Sequence, residues 1–309
     1  MFQGLAPLAV FSLFIRQIRI EHFVFASRNL GANWQMSDLI NLFETDDELA
    51  RALNTQSSQD KVQDTLEWCR RGEIEILYPF HPWYPREFLK IEEPPLFLSI
   101  LGRPAWAGAP TISVVGSRNP TAVSLSWMEQ NLSEIFTDLE LVSVSGGARG
   151  IDQKCHSLSL RSDLPTIVML PSGLKSLYPS ELENWRHRVL ATGGCFLSQF
   201  APDQEMRKFH FHQRNLLIAQ LGGLLLVVEA GRRSGSVMTA HLAMEREKPV
   251  CVVPGHPSEP GAQGILDLLF DGAYPVRDVL DLKQIYFSSF GVDQDFNGGE
   301  SPKRMRLQI

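Results

Sequence analysis

From residue 111 the chain repeats one pattern: a short apolar run, a turn rich in Gly, Ser or Pro, then a longer mixed stretch. The runs are 112–115, 141–144, 166–170, 196–197, 224–228 and 250–253. Continuous apolar runs of this length, bounded by turn residues, predict strands buried on both faces, as in a parallel sheet. The stretches between them, such as 124–136 and 237–247, have the length of crossover helices. Alternating strands and helices predict a doubly wound α/β domain over 111–277 with a mostly parallel sheet.

The flanks read differently. Residues 1–75 show no strand alternation and predict a small all-helical N-terminal domain. Ser37 and Thr45 stand as N-caps before 38–43 and 46–49, each followed by acids in the first turn. A helix over 58–71 would carry Val62, Leu66 and Cys69 on one face, with Gly72 stopping it. Residues 76–110 hold seven prolines from Pro79 to Pro110, a density that predicts neither helix interior nor central strand. Tyr78, Phe80, Trp83, Tyr84 and Phe88 in the same segment predict an ordered connector packed on both neighbours. Residues 278–309 form a C-terminal tail without a winged helix, and its polar stretch 293–309 predicts loose chain. The apolar run 5–15 is too short to span a membrane, and Arg16 and Arg19 follow it. It reads as a buried helix rather than a membrane or signal segment.

Composition narrows the class. The 309 residues carry 29 basic and 35 acidic side chains, a net charge of −6. That balance excludes a wholly basic nucleic-acid protein but not a local basic cleft. The four cysteines, at 69, 155, 195 and 251, never form a C-x-x-C pair. They predict no disulfide framework and no zinc knuckle, and hence a reducing, cytoplasmic setting.

In an open parallel sheet, ligands bind beyond the carboxyl ends of the strands. Three of the turns there combine glycine with arginine: Gly116-Ser117-Arg118, Gly146-Gly147-Ala148-Arg149 and Gly231-Arg232-Arg233-Ser234-Gly235. A fourth, Pro254-Gly255-His256, lacks arginine. Glycine allows close backbone approach, helix starts present free N–H groups, and guanidinium forks suit phosphate oxygens. The candidate anion-binding residues are therefore Gly116, Ser117, Arg118, Gly146, Gly147, Arg149, Arg232, Ser234 and Gly235. The dinucleotide fingerprint G-x-G-x-x-G is missing after the first strand, and so is any P-loop. No cofactor is expected.

The segment 207–215 mixes Arg207, Lys208, Phe209, His210, Phe211, His212 and Arg214. Cations with interleaved rings suit an unpaired nucleic-acid strand. Equally, Phe209 and Phe211 could anchor a helix start while the charges are solvated. His210 and His212 lack a third ligand at a telling spacing, so no metal is expected. Glu229 is the one carboxylate at a strand end. It would serve either as an acid/base group, making the chain a nucleotide or nucleoside-monophosphate hydrolase with 231–236 as phosphate cradle, or as an anchor for the turn after it. The Pro-Gly-Gly-x-Gly-Thr turn typical of such hydrolases is absent.

The turns, taken together, resemble the DprA/Smf family of bacterial DNA-processing proteins. The residues that carry the resemblance are Val-Gly-Ser-Arg at 115–118, Ser-Gly-Gly-Ala-Arg-Gly-Ile-Asp at 145–152, Tyr-Pro at 178–179 and Arg-Asn at 214–215. Val-Glu-Ala at 228–230, Ser-Gly-Ser at 234–236 and Val-Pro-Gly at 253–255 follow in the same order. The resemblance implies an extended Rossmann-like domain that binds single-stranded DNA, protects incoming DNA, loads RecA onto it in transformation and recombination, and forms a homodimer. It implies no enzymatic activity. Carried over, Ser117 and Arg118 would clamp a phosphate, Gly146 and Gly147 would allow close approach, and Asn215 would contact DNA beside Arg214. Arg186 or Arg188 would supply the basic position after Tyr-Pro. The chain departs from the family where Arg214-Asn215-Leu216 replaces Arg-Asn-Arg and Ser198-Gln199 replaces Ser-Glu.

Overall fold

Every predicted run becomes a strand of one sheet. In the computed structural model, which describes residues 56–289 except 80, 93 and 96, helix α1 (Gln56–Arg71) leads into β1 (Ile74–Leu77) and β2 (Leu98–Gly102). There follow β3 (Thr111–Gly116), α2 (Ala122–Asp138), β4 (Val142–Ser145), α3 (Ile151–Arg161) and β5 (Thr166–Met169). After α4 (Arg186–Ala191) come β6 (Cys195–Ser198), α5 (His210–Leu221), β7 (Leu224–Val228) and α6 (Gly235–Met244). The chain continues through β8 (Val250–Val252), α7 (Gln263–Phe270), β9 (Tyr274–Pro275) and α8 (Val279–Ser289). The sheet order is β1-β2-β6-β5-β4-β3-β7-β8-β9.

The seven strands from β3 onward pair in parallel. Alternate residues of each feed opposite cores, which is what the unbroken apolar runs encode. Val115, Val144, Leu225 and Val227 join Leu217, Ile218, Ala240 and Ile265, from α5, α6 and α7, on one face. Ile112, Val114, Leu224 and Leu226 join Met128, Leu132, Cys155 and Leu282, from α2, α3 and α8, on the other. The four cysteines are buried and none is in a disulfide, as packing residues.

The proline-rich segment corrects one expectation. It supplies β2, an interior strand antiparallel to both β1 and β6. Prolines flank Leu98–Gly102 without entering it, so no ladder donor is lost. The buried Phe88 and the Tyr84 hydroxyl, which donates to the Pro95 carbonyl at 2.6 Å, fix the intervening loop. Within the expected tail, residues 279–289 form a helix that packs back on the domain. The Val279 N–H donates to Asn131 Oδ1 at 3.0 Å, and Lys283 pairs with Glu134 and Asp138 on α2. The expected run 5–15, the caps at Ser37 and Thr45, and the tail beyond 289 lie outside the described residues. Among the described residues, no helix is long and apolar enough to cross a membrane.

Candidate functional site

The sheet reverses its winding between β3 and β7, so the loops after these strands flank the crevice where open α/β sheets take ligands. Here that crevice is filled by Glu229. Its backbone is left-handed, at φ +58, which for a non-glycine residue is strained. The bend aims its carboxylate at the start of α2. Oε2 accepts from the Thr121 N–H (2.8 Å), the Thr121 hydroxyl (2.8 Å) and the Ser124 hydroxyl (2.7 Å). Burial alone would raise its pKa, but the bonds from Ser124, Thr121 and Ser117 outweigh it and hold the carboxylate below its usual range. Beside it, the Ser236 hydroxyl donates to the Gly116 carbonyl at 2.8 Å.

One step toward β5, the loop ends open into a cleft of about 510 Å³. Arg118 and Asn119 reach it from the β3 loop. Gly146, Ala148 and Arg149 reach it from the β4 loop. Pro171 and the segment 177–181 form its far wall, and Phe211 and Arg214 of α5 its floor. Arg214 is only 4% exposed. Its Nη1 donates to the Met169 carbonyl at 3.2 Å, while Nε has no partner among the described residues. Burial lowers its pKa to about 10, opposed by the Asp152 carboxylate, so the guanidinium stays cationic at neutral pH. Asp152 is buried behind it and accepts from the Gly146 N–H at 3.1 Å. Burial raises the Asp152 pKa, and Arg214 pulls against that.

Two glycines make this possible. A Cβ at Gly146 would stand 1.5 Å from Arg214 Nη1, so only glycine lets the guanidinium lie flat on the loop. Gly147, at φ +70, turns the chain where a side chain would also strike Leu182. The Arg118 guanidinium lies 5.6 Å from the centre of the Phe211 ring, and so does that of Arg214. Both are within cation–π range. Tyr178 meets the same ring edge-on, 6.0 Å between centroids. The cleft thus offers three cations, two of them against the Phe211 ring, an aromatic floor and a half-exposed phenol.

Of the candidate residues, the structure brings Arg118, Gly146, Arg149 and Arg214 to this cleft. Gly147 shapes the turn between them, and Ser117 braces it: its hydroxyl accepts from the Asn119 N–H at 3.1 Å. Gly116 lies at the strand end below. The rest lie outside the lining. Asn215 is buried with its amide 3.4 Å from the Gly235 carbonyl, and Ser234 caps α6 by accepting from the Val237 N–H at 3.2 Å. Arg232 forks onto Asp267 of α7 at 2.8 and 3.2 Å. Arg186 pairs with Glu183 at 3.4 Å, and Arg188 donates to the Leu160 carbonyl at 2.7 Å. Sequence reasoning left Tyr178 and Glu181 without a role. Their only signal was the Tyr-Pro pair and the acid just after it. Phe209 and Met238, each 44% exposed, lie outside the cleft lining.

Comparisons with known proteins bear on the family and the fold. A family model described as DNA recombination-mediator protein A matches residues 75–286. A Protein Smf from Synechocystis sp. is 34% identical over 212 residues, 67% of this chain and 53% of that relative. The chain thus spans about half the length of that protein. The X-ray structure of DNA processing protein A from Streptococcus pneumoniae superposes with a TM-score of 0.70 at 25% identity, covering 86% of this chain and 98% of that one. DNA processing protein A from Helicobacter pylori, solved to describe its single-stranded DNA binding mode, gives 0.62 at 26% identity over 70% and 96%.

Proposed function

Because the chain belongs to the DNA recombination-mediator protein A family, we propose that it binds single-stranded DNA in the Arg118–Arg214 cleft. The observation that carries this reading is the pair of guanidiniums, each 5.6 Å from the centre of the Phe211 ring, at the carboxyl ends of the central strands. Successive phosphates pass the two cations, and an unpaired base has rings to lie on. Backbone contacts of this kind are blind to sequence.

The wider role is protection of the incoming strand and its delivery to RecA during transformation and recombination, as a homodimer and without catalysis. Phe270, 97% exposed at the end of α7, together with Tyr274 and Leu280, supports a self-association surface. Against the hydrolase alternative, the three bonds accepted by Glu229 Oε2 support a role as anchor for the β3 loop.

The test is a fluorescence-anisotropy titration with labelled oligothymidine and a mixed-sequence strand at two salt concentrations, with nucleotide turnover followed in parallel. Single-strand binding in this cleft gives similar affinity for both strands, a steep fall with salt and no turnover. Nucleotide hydrolysis, or no binding to either strand, contradicts it.

A further inference from the structure

Arg149 differs from the other cations lining the cleft. Among the described residues, it alone of the three is already in contact with a carboxylate, that of Glu181. Its Nε–H donates to Glu181 Oε1 at 2.9 Å and its Nη2–H donates to the same oxygen. Glu181 is also the only acid among the residues that line the cleft. The guanidinium edge used here is the one that grips a phosphate. The pair joins two walls of the cleft: Arg149 follows β4, and Glu181 sits in the turn after Tyr178 and Pro179. Each group holds the other charged. The hydrogen bond from Arg149 lowers the Glu181 pKa, and the bond to Glu181 raises that of Arg149.

The contact is open to exchange. The side chains are 74% and 38% exposed, so water and salt already compete for it. A free anion arriving at Arg149 meets a neutral pair and gains little. A phosphate belonging to a strand already held at Arg118 and Arg214 arrives at high effective concentration and can take the place of the carboxylate. Resting on the reading of the cleft as a single-strand site, we propose that Glu181 is a built-in phosphate stand-in, which occupies Arg149 in the empty protein and is exchanged for backbone phosphate when the strand enters. Glu181 then tempers affinity without subtracting a contact from the final complex. It also keeps Arg149 aligned across the cleft mouth before binding.

A double-mutant cycle tests this, using labelled oligothymidine across a salt series with the wild type, Glu181→Gln, Arg149→Ala and the double variant. All three variants change exposed side chains, and circular dichroism checks that each is folded. The expected result is roughly two- to fivefold tighter binding by Glu181→Gln, the range for release of an exposed ion pair. Its salt slope should match the wild type, because Arg149 holds a phosphate in both complexes. Arg149→Ala should lower the slope by about 0.7, one phosphate contact on a single strand. In the Arg149→Ala background, Glu181→Gln should change nothing, since no cation remains to be released. Unchanged or weaker binding by Glu181→Gln while the wild type binds normally overturns the stand-in role alone. So does equal tightening in the Arg149→Ala background, which marks a general charge effect. If the wild type itself shows no salt-dependent binding, the single-strand reading falls, and this proposal falls with it.

Discussion

Arg214 shows how much one residue can depend on the absence of a side chain elsewhere. Its guanidinium rests where a Cβ on Gly146 would stand, 1.5 Å from Nη1. Gly146→Ala should expel it from the cleft floor. The expected outcome is oligothymidine affinity roughly tenfold lower or worse, the scale of losing a hydrogen bond to a charged group, with a lowered Tm. Wild-type affinity in a folded Gly146→Ala protein would show that Arg214 does not contribute. A second residue-scale prediction concerns pH. His156 is fully buried, its Nδ1 is bonded to the Thr166 hydroxyl at 2.7 Å, and its Nε2 has no partner among the described residues. Burial, aided by Arg214, lowers its pKa to about 3. Between about 6.5 and that value the unfolded chain binds a proton that the folded one refuses. Stability is therefore whole above about pH 6.5 and falls as pH drops through this window, by up to about 1.4 kcal/mol per unit. His156→Gln should flatten the Tm-against-pH curve there, which thermal denaturation between pH 4 and 7 would read.

At the scale of elements, the loops that carry the site are held by helix starts. Ser234 caps α6, and Ser234→Ala should cost about 1 kcal/mol in denaturant unfolding while leaving strand binding intact, because the residue lies outside the cleft. Glu229 caps α2 from a distance and so fixes the loop that bears Arg118. Its lowered pKa means that its contribution is present above the unfolded carboxylate range and is lost as pH falls through the folded value. Glu229→Gln should weaken both Tm and strand affinity at pH 7 and narrow the gap to wild type in acid. The parallel strands were legible in the sequence because burial on both faces writes them as unbroken apolar runs. The strand Leu98–Gly102 was not, because the prolines around it dominate the local pattern and its partner, Cys195–Ser198, lies far along the chain. The arginine turns announced anion chemistry, but not which of them would meet. Arg232 is drawn aside by Asp267, thirty-five positions downstream, a contact no local pattern contains.

For the whole molecule, an acidic chain presents a cationic cleft, and the charge balance of −6 conceals it. Repulsion from the remaining surface makes binding more sensitive to ionic strength than the cleft alone would be. The topology decides which cations count: those after β3 and β4 line one cleft, while Arg232 of the β7 turn pairs with Asp267 of α7. The most direct test of the central claim is the salt dependence of oligothymidine affinity for the wild type and Arg118→Ala. Arg118 is exposed, so the substitution leaves the core untouched. A phosphate contact at Arg118 means weaker binding to all sequences alike and a slope of log affinity against log salt shallower by about 0.7. An unchanged affinity and slope would place the strand elsewhere on the protein.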